Sequence, residues 1–178
     1  MKIISLGLKN YRNCENVLLD FSKQKTLIIG KNAQGKTNIL ESIYMLSDLK
    51  SPRTSTMTDL IRFNTDNFEI NAKVLKNNTD IELDFSHNQE KKREFKLNKV
   101  KSTAKDFKLV VKTVLFSTKD LLLLRGAPQD RRDWLDRAIS QIYPAYDERL
   151  SKYEKIRIQK NNLLKSEEID YTLLDIYN

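Results

Sequence analysis

The sequence is poor in the residues that cross-link or interrupt a chain. Its 178 residues include one cysteine, three prolines and four glycines. Cys14 alone cannot form an internal disulfide, which favours a reducing compartment, and it lies in no metal-binding or redox spacing. The scarcity of glycine and proline argues against long linkers and disorder. The length predicts about one globular domain, large enough to bury a core.

Long apolar runs are also lacking. No stretch approaches the roughly 18 apolar residues that cross a membrane. The N-terminal segment becomes polar and charged at Lys9–Arg12, unlike a signal peptide. These absences predict a soluble cytoplasmic protein with no membrane partner. Lysine and arginine number 32 against 24 acidic residues, a formal charge of +8, and this excess favours a polyanionic partner.

The clearest motif is Gly-Lys-Asn-Ala-Gln-Gly-Lys-Thr at residues 30–37. It fits the Walker A pattern G-x-x-x-x-G-K-[ST]. An apolar run at 27–29 and a helical pattern after the loop give it the expected strand-then-helix context. Gly30 and Gly35 allow backbone conformations that a Cβ would block. The loop amides and the start of the following helix are therefore expected to cradle phosphate oxygens.

The side chains of this loop have predicted roles. Lys36 is expected to reach the β- and γ-phosphates, and the Thr37 hydroxyl is expected to bind Mg²⁺. A GTPase would need an Asn-Lys-x-Asp base reader, and the nearest match, Asn98–Lys101, ends in lysine; ATP is therefore the favoured nucleotide. The predicted nucleotide-binding residues of the loop are Gly30, Lys31, Asn32, Ala33, Gln34, Gly35, Lys36, Thr37 and Asn38.

Hydrophobic periodicity predicts the elements around the loop. Alternation predicts strands at residues 2–9 and 17–21, separated by a polar turn. The run 27–29 is short and apolar throughout, which is typical of a central strand covered on both faces. The helix after the loop is expected to end by Ser51-Pro52, because the residue before a proline is disfavoured in a helix.

The middle of the chain is predicted to form an antiparallel meander with a period of two. Its predicted strands are residues 68–74, 81–85 and 95–97. His87 falls in the predicted loop between the second and third of these strands, where we expect it to be exposed and without a role. Just before the meander, Leu60, Ile61 and Phe63 interrupt a polar segment, and we expect them to be buried anchors.

Helices are predicted for the last third of the chain. The apolar run 109–116 is expected to be buried. Pro128 fits the first turn of a helix, and a longer helix is expected to follow Pro144. An apolar row on this second helix is too short for a coiled coil, which needs about 3–4 heptads.

The acidic residues that drive nucleotide hydrolysis are not found in the sequence. A Walker B strand is an apolar run that ends in aspartate, whereas the run 109–116 is followed by Ser117. Val17–Asp20 is better explained as an ordinary strand, and Thr172–Asp175 falls in a predicted helix. No catalytic residue is therefore predicted, which indicates either a truncated chain or one half of a split ATPase, with little or no turnover alone. A self-sufficient P-loop hydrolase or kinase, and a DNA-binding module that only senses nucleotide, are the alternatives.

Four separated motifs in order resemble the RecF family, bacterial recombination-repair ATPases related to SMC proteins. They are Asn10–Asn13, Gly30–Asn38, Ser51–Ser55 and Gly126–Asp136. The resemblance covers essentially the whole chain but only the N-terminal half of the family's length. The chain departs from the family pattern at Thr118-Lys119, where an acid commonly follows proline, and at Trp134, where phenylalanine or tyrosine is usual.

The resemblance implies an α/β P-loop NTPase fold, the first lobe of an ABC/SMC-type head, with a mixed sheet, an antiparallel meander and C-terminal helices. It implies a head lobe at residues 1–143 and the start of a helical arm at 144–178. It also implies ATP-dependent homodimerisation, clamping of double-stranded or gapped DNA, and RecA loading with RecR as partner. By the same resemblance Arg12 touches the nucleotide phosphates through its guanidinium fork, and Arg53 has a weaker case.

Positive charge is concentrated at residues 91–112, which hold nine basic and two acidic residues. Such clustering predicts salt-sensitive, sequence-independent contacts with DNA phosphates. The alternative is a solvated lysine face without a partner. Base stacking is poorly supported, because the two phenylalanines of the segment could both belong to the core. The predicted DNA-binding residues are Lys91, Lys92, Arg93, Lys96, Lys99, Lys101, Lys105 and Lys108. Lys112 is the ninth basic residue of the segment and is not part of this prediction.

Overall fold

The structure of the protein is a computed structural model that describes residues 1–21, 23–90, 92–118, 120–123, 125–143, 145–166 and 171–176. It divides into two compact units, Met1–Leu122 and Leu123–Asn178. This division falls earlier than the predicted boundary between residues 143 and 144, because the helix that begins at Pro128 belongs to the second unit. The assignment of a head lobe and a helical arm stays a prediction.

In the described part of the first unit, six strands form one sheet in which each neighbouring pair is antiparallel. The strands are β1 Lys2–Tyr11, β2 Cys14–Asp20, β3 Asn67–Lys76, β4 Thr79–Asn88, β5 Arg93–Leu97 and β6 Val100–Lys101. Their order across the sheet is β2-β1-β3-β4-β5-β6. The two N-terminal strands and the meander are therefore confirmed.

The core lies on one face of this sheet. Alternate residues of β1, β3 and β4 point to that face and are fully buried, among them Leu8, Ile70 and Phe85. The ring of Phe68 packs edge-to-face against Tyr11 and Phe85, with centroids 5.4 and 5.6 Å apart. Each such side chain contributes about 1.5–3 kcal/mol by its burial.

The described helices are α1 Lys36–Asp48, α2 Ala104–Lys108, α3 Pro128–Ile142, α4 Tyr146–Leu163 and α5 Tyr171–Ile176, with short 3₁₀ turns at Met57–Leu60 and Asp120–Leu122. Met45 and Leu46 of α1 belong to the sheet's core. The helix ends when Leu49 adopts the left-handed conformation, φ 57°, slightly before the predicted stop at Ser51-Pro52. In the second unit, the predicted proline is confirmed in the first turn of α3. No helix in the described ranges is long and apolar enough to cross a bilayer.

One prediction about an apolar run is wrong, and a second is confirmed only in part. Residues 25–30 form no strand, and Leu27 and Ile29 are 84% and 81% exposed, although a buried central strand was expected there. In the run 109–116, Val110 and Val111 are buried, but Val114 and Phe116 are exposed. Burial of an apolar run is favourable, but the run forms a strand only where a neighbouring strand can pair with its backbone hydrogen-bonding groups. Within the described residues neither run has a strand beside it.

Two single-residue predictions are also wrong. His87 is buried, because β4 extends to Asn88 and places it on the core face beside Phe68, with ring centroids 5.9 Å apart. Burial, together with the charge of Arg93, lowers the pKa of His87, so its ring is neutral at neutral pH. Leu60 is a buried anchor as predicted, but Phe63 is 93% exposed.

Candidate nucleotide-binding site

The turn between β1 and β2 holds the phosphate-loop motif in place. The Asn13 amide donates from Nδ2 to the carbonyl oxygen of Ala33 at 3.1 Å. Its Oδ1 accepts a hydrogen bond from Nδ2 of Asn38 at 2.7 Å. One side chain therefore ties the loop to the first turn of α1. Sequence reasoning placed Asn13 in a polar turn beside Arg12, but only the tertiary structure reveals this contact.

Gly35 is required by the same contact. Its φ is 92°, in the left-handed region, and a Cβ built there would lie 2.9 Å from Oδ1 of Asn13. L side chains are strained at such a φ, and Asn13 is held by its two hydrogen bonds. The glycine predicted from the motif is therefore explained by both backbone conformation and close packing.

Lys36 and the helix start supply positive charge to the loop. The Lys36 ammonium donates to the carbonyl oxygens of Gly30 at 2.7 Å and Lys31 at 2.6 Å. Helix α1 begins with no side-chain N-cap hydrogen bond and no acidic residue in its first turn. Its positive dipole end is therefore not neutralised by its own sequence, which favours an anion at this position.

A cavity of about 910 Å³ opens over the loop. Most of the predicted nucleotide-binding residues line it, namely Arg12, Asn32, Ala33, Gln34, Gly35, Lys36, Thr37 and Asn38. Gly30 and Lys31 are not among the lining residues. Sequence reasoning missed several that are: Asn13, Asp59, Ile61, Arg62, Phe63 and Asn64. Arg53, the weaker candidate, also lines the cavity.

A buried carboxylate anchors two of the arginines. Glu41 of α1 has a fully buried side chain and accepts from Nε and Nη2 of Arg12, both at 2.7 Å. Ser51 Oγ donates to it at 2.5 Å, and Nη1 of Arg53 lies 3.3 Å away. The same Nη1 donates to Oδ1 of Asn38 at 2.6 Å. Glu41 thus connects the β1–β2 turn, α1 and the segment after α1.

The Glu41 carboxyl is ionised in this setting. Burial alone would raise its pKa, but the hydrogen bonds from Arg12 and Ser51, with the charges of Arg12 and Arg53, outweigh burial and hold the pKa below its ordinary value of 4.5. Sequence reasoning did not single out Glu41. Its spacing from Tyr44 and Met45, which places all three on the buried face of α1, was the available signal.

In the predicted DNA-binding segment, residues 91–112, none of the described residues 92–112 lines the cavity. Lys91 falls outside the described residues. Three lysines of the segment lie beside carboxylates: Lys92 with Glu90 at 2.5 Å, Lys96 with Glu94 at 3.5 Å, and Lys99 with Glu82 at 3.9 Å. Two of these acids are sequence neighbours of their lysines, and only the Lys99–Glu82 pair joins residues that are distant in sequence. DNA contact by this segment stays a prediction.

The loop, the helix after it and the sheet define the class as a P-loop ATPase with the head-type fold of SMC proteins. A solved structure on ATP-driven dimerization of SMC ATPases matches with a TM-score of 0.65 and 19% identity, over 78% of this chain and 99% of that one. The similarity supports the fold alone. The chain belongs to the family described as AAA ATPase domain, which matches residues 1–177.

The resemblance to RecF is confirmed. The DNA replication and repair proteins RecF of Bacillus thuringiensis (strain Al Hakam) and Bacillus cereus (strain B4264) are each 40% identical over 182 residues, covering 99% of this chain and 48% of the relative. A structure of the recombination mediator protein RecF-ATP in the RecFOR pathway has a TM-score of 0.87 at 31% identity, over 99% of this chain and 48% of that one. The chain thus spans about half the length of the curated relatives it matches.

Proposed function

We propose that this chain is the N-terminal, ATP-binding portion of a RecF-type DNA repair ATPase. The observation that carries the proposal is the cavity over residues 30–37, which four cationic side chains line. They are Arg12, Lys36, Arg53 and Arg62. These cations outnumber the carboxylates beside them, which are Asp59 in the lining and Glu41 and Glu15 as ion-pair partners. The excess of positive charge favours an anionic ligand such as a triphosphate. The volume suits a small-molecule ligand, whose pockets typically measure about 300–1,000 Å³. The RecF structure similar to this chain is described with ATP.

Thr37 is the proposed protein ligand of Mg²⁺. Its hydroxyl is a hard oxygen donor in the first turn of α1, and the residue lines the cavity. Mg²⁺ bound with nucleotides usually takes only one or two protein ligands, while phosphates and water supply the rest. The Thr37 hydroxyl therefore fits the metal, which would offset the negative charge of the phosphates.

The proposed role of Thr37 predicts a magnesium-dependent affinity. We expect Mg²⁺ to tighten ATP binding to the parent chain, because the metal adds an interaction with the Thr37 hydroxyl. Thr37→Ala should remove most of this gain, about tenfold for an interaction of roughly 1.5 kcal/mol, whereas Thr37→Ser should keep it. Calorimetric titration with ATP, with and without Mg²⁺, measures the difference.

The same samples test the alternative, a self-sufficient hydrolase or kinase. Phosphate release by the parent chain should be close to the uncatalysed rate, because the sequence offers neither a Walker B acid nor a general base. Robust turnover would contradict the proposal. Equal ATP affinity with and without Mg²⁺ in the parent would contradict the metal assignment alone.

We propose the activity of full-length RecF only for a longer protein of which this chain would be the N-terminal portion. There, bound ATP would join two heads into a homodimer around double-stranded or gapped DNA, with RecR as partner and RecA loading as the outcome. The similarity to the DNA replication and repair protein RecF supports this interpretation.

The basic segment is the proposed DNA-contacting surface of this portion. If Lys96, Lys99 and Lys101 neutralise phosphates, their combined replacement by alanine should weaken duplex binding and flatten its salt dependence. The slope of log affinity against log salt should change by about 0.9 for each phosphate that the variant no longer neutralises. Fluorescence anisotropy with labelled duplex at several salt concentrations measures it.

A triple alanine variant with the same charge change provides the control. Lys152, Lys155 and Lys165 are exposed residues of the second unit, and their replacement should leave the slope unchanged. Parent-like affinity of the first variant at low salt would remove the segment from the DNA footprint.

A further inference from the structure

An exposed aromatic ring lies beside the phosphate loop. Phe63 is 93% exposed and lines the same cavity as Lys36 and Thr37. Burying a phenylalanine typically gains about 1.5–3 kcal/mol relative to leaving it exposed. The sheet's core takes up Leu60, three positions earlier, but not this ring.

Hydrogen bonds hold the loop that carries Phe63 both before and after this residue. The backbone N–H of Arg12 donates to the Leu60 carbonyl at 2.7 Å, and the Arg62 N–H donates to the Asn10 carbonyl at 2.8 Å. After Phe63, the Thr65 hydroxyl donates to the Arg62 carbonyl at 2.8 Å. The ring is therefore held at the cavity by ordered backbone, which lowers the entropy cost of using it for binding.

A further hydrogen bond connects the loop that carries Phe63 to the turn that holds the phosphate loop. Nη1 of Arg62 donates to the Asn13 carbonyl at 2.9 Å, and the Asn13 side chain holds Ala33 and Asn38. One turn thus fixes both the phosphate-binding motif and the exposed ring. The cavity combines several cations with one flat apolar surface, and a molecule with a polyphosphate and an aromatic base matches both.

We propose that Phe63 is the stacking platform for the nucleobase and determines specificity for nucleotides over bare polyphosphate. This rests on the proposed nucleotide site and deepens it. Stacking of a base on an aromatic side chain is worth about 1–3 kcal/mol and tolerates any base, because every base has a π-face. Phe63 therefore makes the site bind nucleoside triphosphates more tightly than tripolyphosphate, but it does not by itself discriminate adenine from guanine.

The test compares Mg-ATP with Mg-tripolyphosphate in calorimetric titrations of the parent, Phe63→Ala and Phe63→Tyr. Phe63→Ala should weaken ATP binding by about 5- to 100-fold, the range given by base stacking, and leave tripolyphosphate binding unchanged. Phe63→Tyr keeps the ring and should stay close to the parent for both ligands. A Phe63→Trp variant in a Trp134→Phe background should show indole quenching by ATP and none by tripolyphosphate.

Several outcomes would overturn the proposal, and they are distinguishable. If Phe63→Ala binds ATP as tightly as the parent, the stacking role of Phe63 is refuted, while the proposed nucleotide site is unaffected. Equal loss of affinity for both ligands assigns Phe63 to the structure of the loop instead. If the parent binds neither ligand, the proposed function fails, and this inference fails with it.

Discussion

Lys36→Ala should weaken ATP binding by about 30- to 150-fold, which corresponds to roughly 2–3 kcal/mol for hydrogen bonds to charged groups. The ammonium already lies at the loop, 2.7 and 2.6 Å from the carbonyl oxygens of Gly30 and Lys31. In the proposed complex the same group would meet the β- and γ-phosphates. The variant loses that charge, and among the described residues no other lysine lines the cavity.

The measurement is a calorimetric titration with Mg-ATP and with Mg-tripolyphosphate. Both affinities should fall, since the lysine acts on phosphates and not on the base, which distinguishes it from Phe63. Lys50→Ala is the matched control, because Lys50 is exposed, follows α1 and does not line the cavity. If Lys36→Ala held both ligands as tightly as the parent, the phosphate site would be misassigned.

Glu41→Gln should lower the free energy of unfolding by about 3 kcal/mol. Removing one partner of a buried ion pair typically costs about 3–5 kcal/mol. We expect the low end because Arg53 is 43% exposed and remains hydrated when the carboxylate is lost. The glutamine keeps the shape and one acceptor but leaves the guanidinium of Arg12 without its charged partner.

Chemical denaturation followed by circular dichroism measures this loss. Glu90→Gln is the matched control, since the Glu90–Lys92 pair is largely exposed and such pairs are worth about 0–1 kcal/mol. A stability equal to that of the parent would show that Glu41 is not the anchor of the two arginines.

The same variant has a defined pH signature. The pKa of Glu41 is lowered in the folded chain, so its stabilising contribution is complete above the unfolded pKa. That contribution is lost as pH falls from there through the folded pKa. The parent should therefore approach Glu41→Gln in stability only at acid pH. A difference that does not change with pH would indicate lost packing instead of lost charge.

Much of the site could be predicted from sequence because the phosphate loop is local. Gly30 to Thr37 are contiguous, and their spacing follows from the reach of backbone amides around one phosphate group. Arg12 entered only through the family resemblance. Glu41, Asn13 and Phe63 were missed, since their roles depend on residues 20 or more positions away or on a surface that does not exist in the unfolded chain.

Strand prediction succeeded where the sequence pattern showed which face of the strand is buried, and failed where the pattern was silent. Alternation in β3 and β4 reports directly which face is buried, and the two strands are neighbours in the sheet. His87 was misplaced because a polar residue at a strand end gives no periodic signal. Leu27–Ile29 was misread because its apolar character does not specify a partner strand.

The sequence by itself determined the phosphate loop, the helix that follows it, the antiparallel meander and the net positive charge, all of which depend on neighbouring residues or on composition. Only the tertiary structure determined that Glu41 binds both Arg12 and Arg53, and that the Asn13 side chain holds the phosphate loop by hydrogen bonds. It also determined that Phe63 is exposed at the cavity. It further placed the carboxylate of Glu82 beside Lys99 of the basic segment. These features require contacts between segments that are separated in the sequence, and such contacts exist only in the folded chain.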